Sequence, residues 1–243
     1  MKAFISGTEN KESAIARARA LRESDAFYGW GHFWHEGKGN VSGGMYHSYL
    51  KPGETEQDVL KYPEPVHGIP VSAAKLFDYF FSGLCIHDKE IAKAWAETVY
   101  EAIRPGADLS QLSNKIILHV LETPELLAEY ADGKGAHLVG VMQGIYILRG
   151  MGINQDKRLI ELHYDHLYKL HRHQLDGKHD TANYVMAALK ALSSTPISGE
   201  DCGAVWYFLN HAMHGAAANK KRGKHGEEWY ALSKVLIQKI KDC

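Results

Sequence analysis

The chain has 243 residues, 45% of them hydrophobic and 23% charged, which is ordinary globular usage and excludes a collagen-like, disordered or membrane-embedded protein. Its 28 basic and 29 acidic side chains leave a net charge of −1, so no whole-molecule field draws it to nucleic acid or to an anionic membrane. Three cysteines, Cys85, Cys202 and Cys243, are an odd number at no repeating spacing; they argue against a disulfide framework and for a reducing, cytoplasmic setting. The N-terminal residues lack the apolar stretch of a secretory leader, and no run approaches the roughly 18 apolar residues of a membrane span, so no membrane partner is expected.

In chain order, the first predicted element is a helix over 13–22, where Ala14, Ala18 and Leu21 share a face and the charged residues fall elsewhere. An aromatic segment follows, with Phe27, Tyr28, Trp30, Phe33 and Trp34, and then the glycines Gly37, Gly39, Gly43 and Gly44. Glycines let backbone N–H groups approach an anion, but no Gly-Lys-Ser/Thr step follows, and a connecting loop is the simpler reading. Pro52, Pro63, Pro65 and Pro70 extend this Gly/Pro-rich loop region over 37–70 and place a domain boundary at its end. Residues 1–70 then form an N-terminal segment packing on a main helical domain, 71–243.

Beyond the boundary, helix signals recur over 72–83, 89–104, 109–121, 124–131, 136–149, 156–175, 180–192, 203–219 and 227–241. Thr123-Pro124-Glu125 starts one with an N-cap, a proline and an acid, while Arg104-Pro105-Gly106, Asp132-Gly133, Gly150 and Asp176-Gly177 stop others. Strands are scarce, and no period repeats from helix to helix. The pattern predicts an all-α fold: an irregular bundle of stacked antiparallel helical hairpins with short connections.

Histidine is the unusual count. Fifteen are present, about two to three times ordinary usage, and they crowd between residues 160 and 180. His163 and His166 lie three apart on a predicted helix, as do His211 and His214; two such helices face to face would offer four nitrogens to one divalent metal ion. Against this, Leu159, Leu162, His166, Leu170 and His173 trace one apolar stripe that turns His163 sideways. These helices carry neither the Glu-x-x-His of the carboxylate di-iron proteins nor the His-Glu-x-x-His of the zinc proteases, and histidines that make ordinary hydrogen bonds or face solvent are the competing reading.

The segment Leu84-Cys85-Ile86-His87-Asp88 resembles the doublet of the HD-type metal phosphohydrolases, an all-α family. That resemblance implies His67 as a preceding ligand, Asp132 or Asp156 as a later one, and a metal-generated hydroxide that attacks a phosphoester. Lys89-Glu90 departs from the family's pattern, and His67 falls in the proline-rich stretch. His179-Asp180 is a second such doublet, in which Asp180 also suits an N-cap. Covalent catalysis has little support: Cys85 sits in an apolar run, Cys202 follows two acids, and no serine lies in a Gly-x-Ser-x-Gly turn.

Charge is graded along the chain, from an acidic excess before residue 131 to a basic excess after 205. Lys220, Lys221, Arg222 and Lys224 lie in a glycine-containing loop, 219–226, that suits phosphate, a nucleic-acid backbone or an acidic protein, or is simply solvated. Trp206, Tyr207 and Trp229 nearby are stacking partners in one reading and core in the other. The stretch Arg158-Leu159-Ile160-Glu161-Leu162-His163 through His171-Arg172-His173, followed by Ala187-Ala188-Leu189, resembles the all-α immunity proteins of bacterial toxin systems. That resemblance implies a compact cytoplasmic protein that neutralises another protein. The expectation is therefore a protein-binding inhibitor, immunity or adaptor protein without catalysis. No cofactor is expected, and a divalent metal is the one the pattern allows. A metal-dependent phosphohydrolase and a nucleic-acid or nucleotide binder using the basic loop are the alternatives.

Overall fold

Asn10 opens the first helix, α1 (Lys11–Glu23), because its side chain accepts the backbone N–H of Ser13 at 2.9 Å, satisfying an N–H that the first turn leaves unpaired. The computed structural model describes residues 1–29, 33–123, 205–206, 209–210, 212–213 and 225–243. These fall into two compact units, one of 1–112 with 229–243 and one of 113–228. The expected helices between 124 and 192 lie outside the described residues. Among the described residues, no helix is long and apolar enough to cross a membrane.

The all-α expectation holds: the described elements are helices apart from one small hairpin. In that hairpin β1 (Trp34–His35) pairs antiparallel with β2 (Lys38–Gly39) around Glu36 and Gly37, whose φ angles of 48° and 81° are those of a tight two-residue turn. The glycine- and proline-rich stretch is not the loop region expected. It holds α2 (Val41–Tyr46), two 3-10 turns (His47–Tyr49 and Glu56–Lys61) and α3 (Pro63–His67). Two of its four prolines stand at helix starts: Pro63 is the first residue of α3, and Pro70 precedes α4 (Val71–His87), positions where a missing N–H costs nothing. Gly43 lies inside α2, where a Cβ would collide with the Phe33 carbonyl, so this glycine serves close backbone packing.

In the first unit the elements before residue 70 pack with those that follow it. α4 is the central rod of this unit. Ala73, Leu76, Phe77, Phe80, Phe81 and Leu84 are all buried, and α2, α3, α5 (Lys89–Lys93) and α6 (Trp95–Ala102) pack on it. The single helix expected over 89–104 is thus two short ones meeting at Ala94. The bend brings Trp95 back onto α4, where its Nε1 donates to the Phe77 carbonyl at 2.9 Å and its ring stacks on Phe80 at 5.8 Å. α1 lies on α6 through the buried Ala14 and Ala18, beside ion pairs from Arg19 and Arg22 to Glu97 at 2.6 and 3.1 Å.

α7 (Leu112–Glu122) carries a buried stripe of Leu112, Ile116, Ile117 and Val120 at helical spacing. The last helix, α8 (His225–Lys241), sends Trp229 against Gly83 and Phe80 of α4, the two rings meeting edge to face at 5.3 Å. Fully buried there, Trp229 belongs to the core and is not a stacking partner for a ligand.

Candidate functional site

One group of polar side chains in the first unit converges on Glu9, in the segment leading into α1. Its Oε1 accepts from Arg17 Nη2 at 2.7 Å and from the Tyr49 hydroxyl, and its Oε2 lies 3.4 Å from His67 Nε2. Arg17 sits one helical repeat inside α1, which aims its guanidinium at Glu9, at the Met45 carbonyl (3.0 Å) and over the Tyr49 ring (4.8 Å). Burial raises the Glu9 pKa, but the Tyr49 hydrogen bond and the Arg17 charge outweigh it and hold the carboxyl below its ordinary value.

His67 ends α3 and has no solvent exposure. Burial pushes its pKa down to about 4, against the pull of Glu9, so near neutral pH the ring is uncharged. A neutral imidazole has one donor and one acceptor, and ionised Glu9 only accepts; Nε2 therefore carries the proton and Nδ1 receives one. The group at Nδ1 is the Tyr46 hydroxyl, 2.9 Å away, and Tyr46 in turn lies 2.8 Å from the Tyr100 hydroxyl. The chain has one direction: Tyr100 donates to Tyr46, Tyr46 to His67, His67 to Glu9, and Arg17 balances the charge at its end.

Both tyrosines are 1% exposed, and burial raises their pKa above the ordinary tyrosine value, so both hydroxyls keep their protons. Phe4 closes the remaining side. At φ 56° it holds a left-handed backbone conformation that is costly for an aromatic residue, and its ring packs 5.7 Å from His67 and 6.1 Å from Tyr100. The result is a closed wire joining α1, α2, α3 and α6, a polar network of the kind that fixes one packing arrangement when every member is satisfied.

The residues carrying the phosphohydrolase resemblance are engaged in other ways. His67 uses both ring nitrogens in the wire, which leaves no lone pair for a metal. His87 ends α4 stacked on Tyr230 of α8 at 4.9 Å. Asp88 is the N-cap of α5, its Oδ1 accepting from Glu90 N at 2.8 Å and Ile91 N at 3.2 Å. Asp88→Ala is accordingly expected to lower stability by about 1 kcal/mol, read as a shift in the urea midpoint, with no change in metal content. Cys85 is half-buried against Gly29, and burial pushes its thiol up to about 11, so at neutral pH it is a thiol and not a nucleophilic thiolate.

Among the described residues, no three His, Cys, Asp or Glu side chains stand together as metal ligands. The sequence-derived candidates His163, His166, His211 and His214, the basic residues Lys220, Lys221, Arg222 and Lys224, and Asp132, Asp156, His179, Asp180 and Cys202 lie outside the described residues. Sequence reasoning missed Glu9, Arg17, Tyr46, Tyr49 and Tyr100, whose spacings follow no motif. Asp78 did carry a signal: an acid inside Leu76-Phe77-Asp78-Tyr79-Phe80-Phe81 is an ionisable group in an apolar helix. No protein family, curated protein or solved structure matches the chain.

Proposed function

We propose that this chain is a cytoplasmic protein-binding module of inhibitor, immunity or adaptor type. One observation carries the reading: in the first unit the side chains suited to acid–base, nucleophilic or metal chemistry hold the fold together. Glu9 and His67 belong to a closed hydrogen-bond wire, Asp88 caps a helix, and Cys85 packs as a protonated thiol. The thiol of Cys85 suits a reducing compartment. The charge gradient supports recognition of an acidic face on another protein by the basic C-terminal part of the sequence.

The test is capture from the native cell with reversible cross-linking, followed by calorimetric titration of the recovered protein against wild type and a Lys220→Glu/Lys221→Glu/Arg222→Glu variant. A stoichiometric complex that weakens at least tenfold in the variant supports the reading. Salt-sensitive retention of nucleic acid would replace it with the nucleic-acid reading. Phosphoester hydrolysis that requires an added divalent metal and disappears in His163→Ala or His211→Ala would replace it with the hydrolase.

A further inference from the structure

The interface between α2 and α4 holds one carboxyl group that the hydrogen-bond wire does not use. Asp78, on α4, is buried, and its Oδ1 accepts the backbone N–H of Ser42 in α2 at 2.8 Å. Its Oδ2 and Ser42 Oγ are both buried without a hydrogen-bond partner, although the serine side chain lies against the same carboxyl. An ionised carboxylate here is a charge closed off from water, and what offsets it is the Val41 and Ser42 backbone N–H groups, the Ser42 hydroxyl and the charge of Lys75. A proton on Oδ2 makes that oxygen a donor and gives Ser42 Oγ a bond to accept.

We propose that Asp78 is a proton-binding site at the α2–α4 interface: protonated in the closed fold, it ionises by admitting water between the two helices, which loosens α2. The groups facing it are Lys75, one turn back on α4, Tyr46 from α2 and Tyr100 from α6. Arg17 of α1 acts on both tyrosines, and His67 of α3 reaches the site through its bond to Tyr46. Burial pushes the Asp78 pKa from 3.8 to about 7, against the Ser42 hydrogen bonds and the charge of Lys75, so the site is half-occupied near neutral pH. α2 also carries Tyr46, so loosening it breaks the wire in its middle.

Because the folded state keeps a proton that the unfolded chain gives up near pH 4, this group's contribution to the folding constant falls as pH rises, by up to about tenfold per unit, and levels off above pH 7. His67 runs the other way, losing stability as pH falls from 6.5 towards 4, but it is present in both proteins compared and drops out of their ratio. The experiment is urea unfolding of wild type and Asp78→Asn across this range; asparagine keeps the acceptor for Ser42 N and supplies a permanent donor to Ser42 Oγ. The ratio of wild-type to variant folding constants is expected to fall roughly a hundredfold to a thousandfold between pH 4 and pH 7. A ratio independent of pH overturns the proposal. Should Asp78→Asn not fold, wild-type protein labelled with carbon-13 at its aspartate carboxyls decides: one resonance titrating near 7, with Ser42 amide exchange protection falling over the same range, is the expected result. Aspartate resonances that all titrate below 5 overturn it.

Discussion

Gly83→Ala is expected to destabilise the protein by about 3 kcal/mol, although alanine is normally the better helix former. A Cβ at this position in α4 falls within the indole of Trp229, which is fully buried beneath Phe80. The ring has nowhere to go without moving α8, and overpacking of this kind costs about 1–3 kcal/mol before any tryptophan burial is lost. The sign of the effect in a second background makes the argument testable. In Trp229→Ala, itself about 3–5 kcal/mol less stable than wild type, the obstruction is gone and Gly83→Ala should stabilise α4 by up to about 1 kcal/mol. Urea unfolding of the four proteins gives the coupling directly. Additive effects would mean that Gly83 does not make room for Trp229.

The hydrogen-bond wire makes the second large prediction. Tyr46→Phe removes one oxygen but strands two buried partners, His67 Nδ1 and the Tyr100 hydroxyl, so a loss of about 2–4 kcal/mol is expected. Tyr100→Phe removes the group at the far end of the same chain, leaves every remaining donor paired, and should cost only about 1 kcal/mol. The inequality follows from the direction of the wire, which ionised Glu9 and neutral His67 impose. Equal losses in the two phenylalanine variants, measured by thermal or urea unfolding at neutral pH, would show that the hydroxyls are not ordered in this way. The closed position of the wire also explains the fit of Phe4, whose left-handed backbone is stabilised by the ring contacts it makes with His67 and Tyr100.

Helices were legible where apolar residues recur with the helical period and a cap or breaker stands at the end. α1, α4, α7 and α8 all lie within a few residues of their expected ranges, for Pro70 and the recurrence of apolar residues on one face are local signals. The stretch 37–70 was misread for an equally local reason. Glycine and proline disfavour a helix interior in isolation, yet Gly43 is needed where the Phe33 carbonyl approaches, and Pro63 stands where a helix can begin. Likewise, nothing between Lys89 and Arg104 marks the bend at Ala94, which is set by Trp95 reaching back to the Phe77 carbonyl.

Chemistry was less legible than architecture. His-Asp at 87–88 and the isolated His67 drew notice because those residue types recur in catalytic motifs, whereas their partners Glu9, Tyr46, Tyr100 and Tyr230 lie far away along the chain. What composition, periodicity and capping determined was the helical class and the ends of the longer helices, since those depend on neighbours a turn or two away. Tertiary structure alone decided that His67 is neutral, that Asp88 is a cap and that Asp78 is a buried carboxyl whose pKa is raised. Each of those outcomes depends on burial and on hydrogen-bond partners brought from distant segments, and neither is encoded in local spacing.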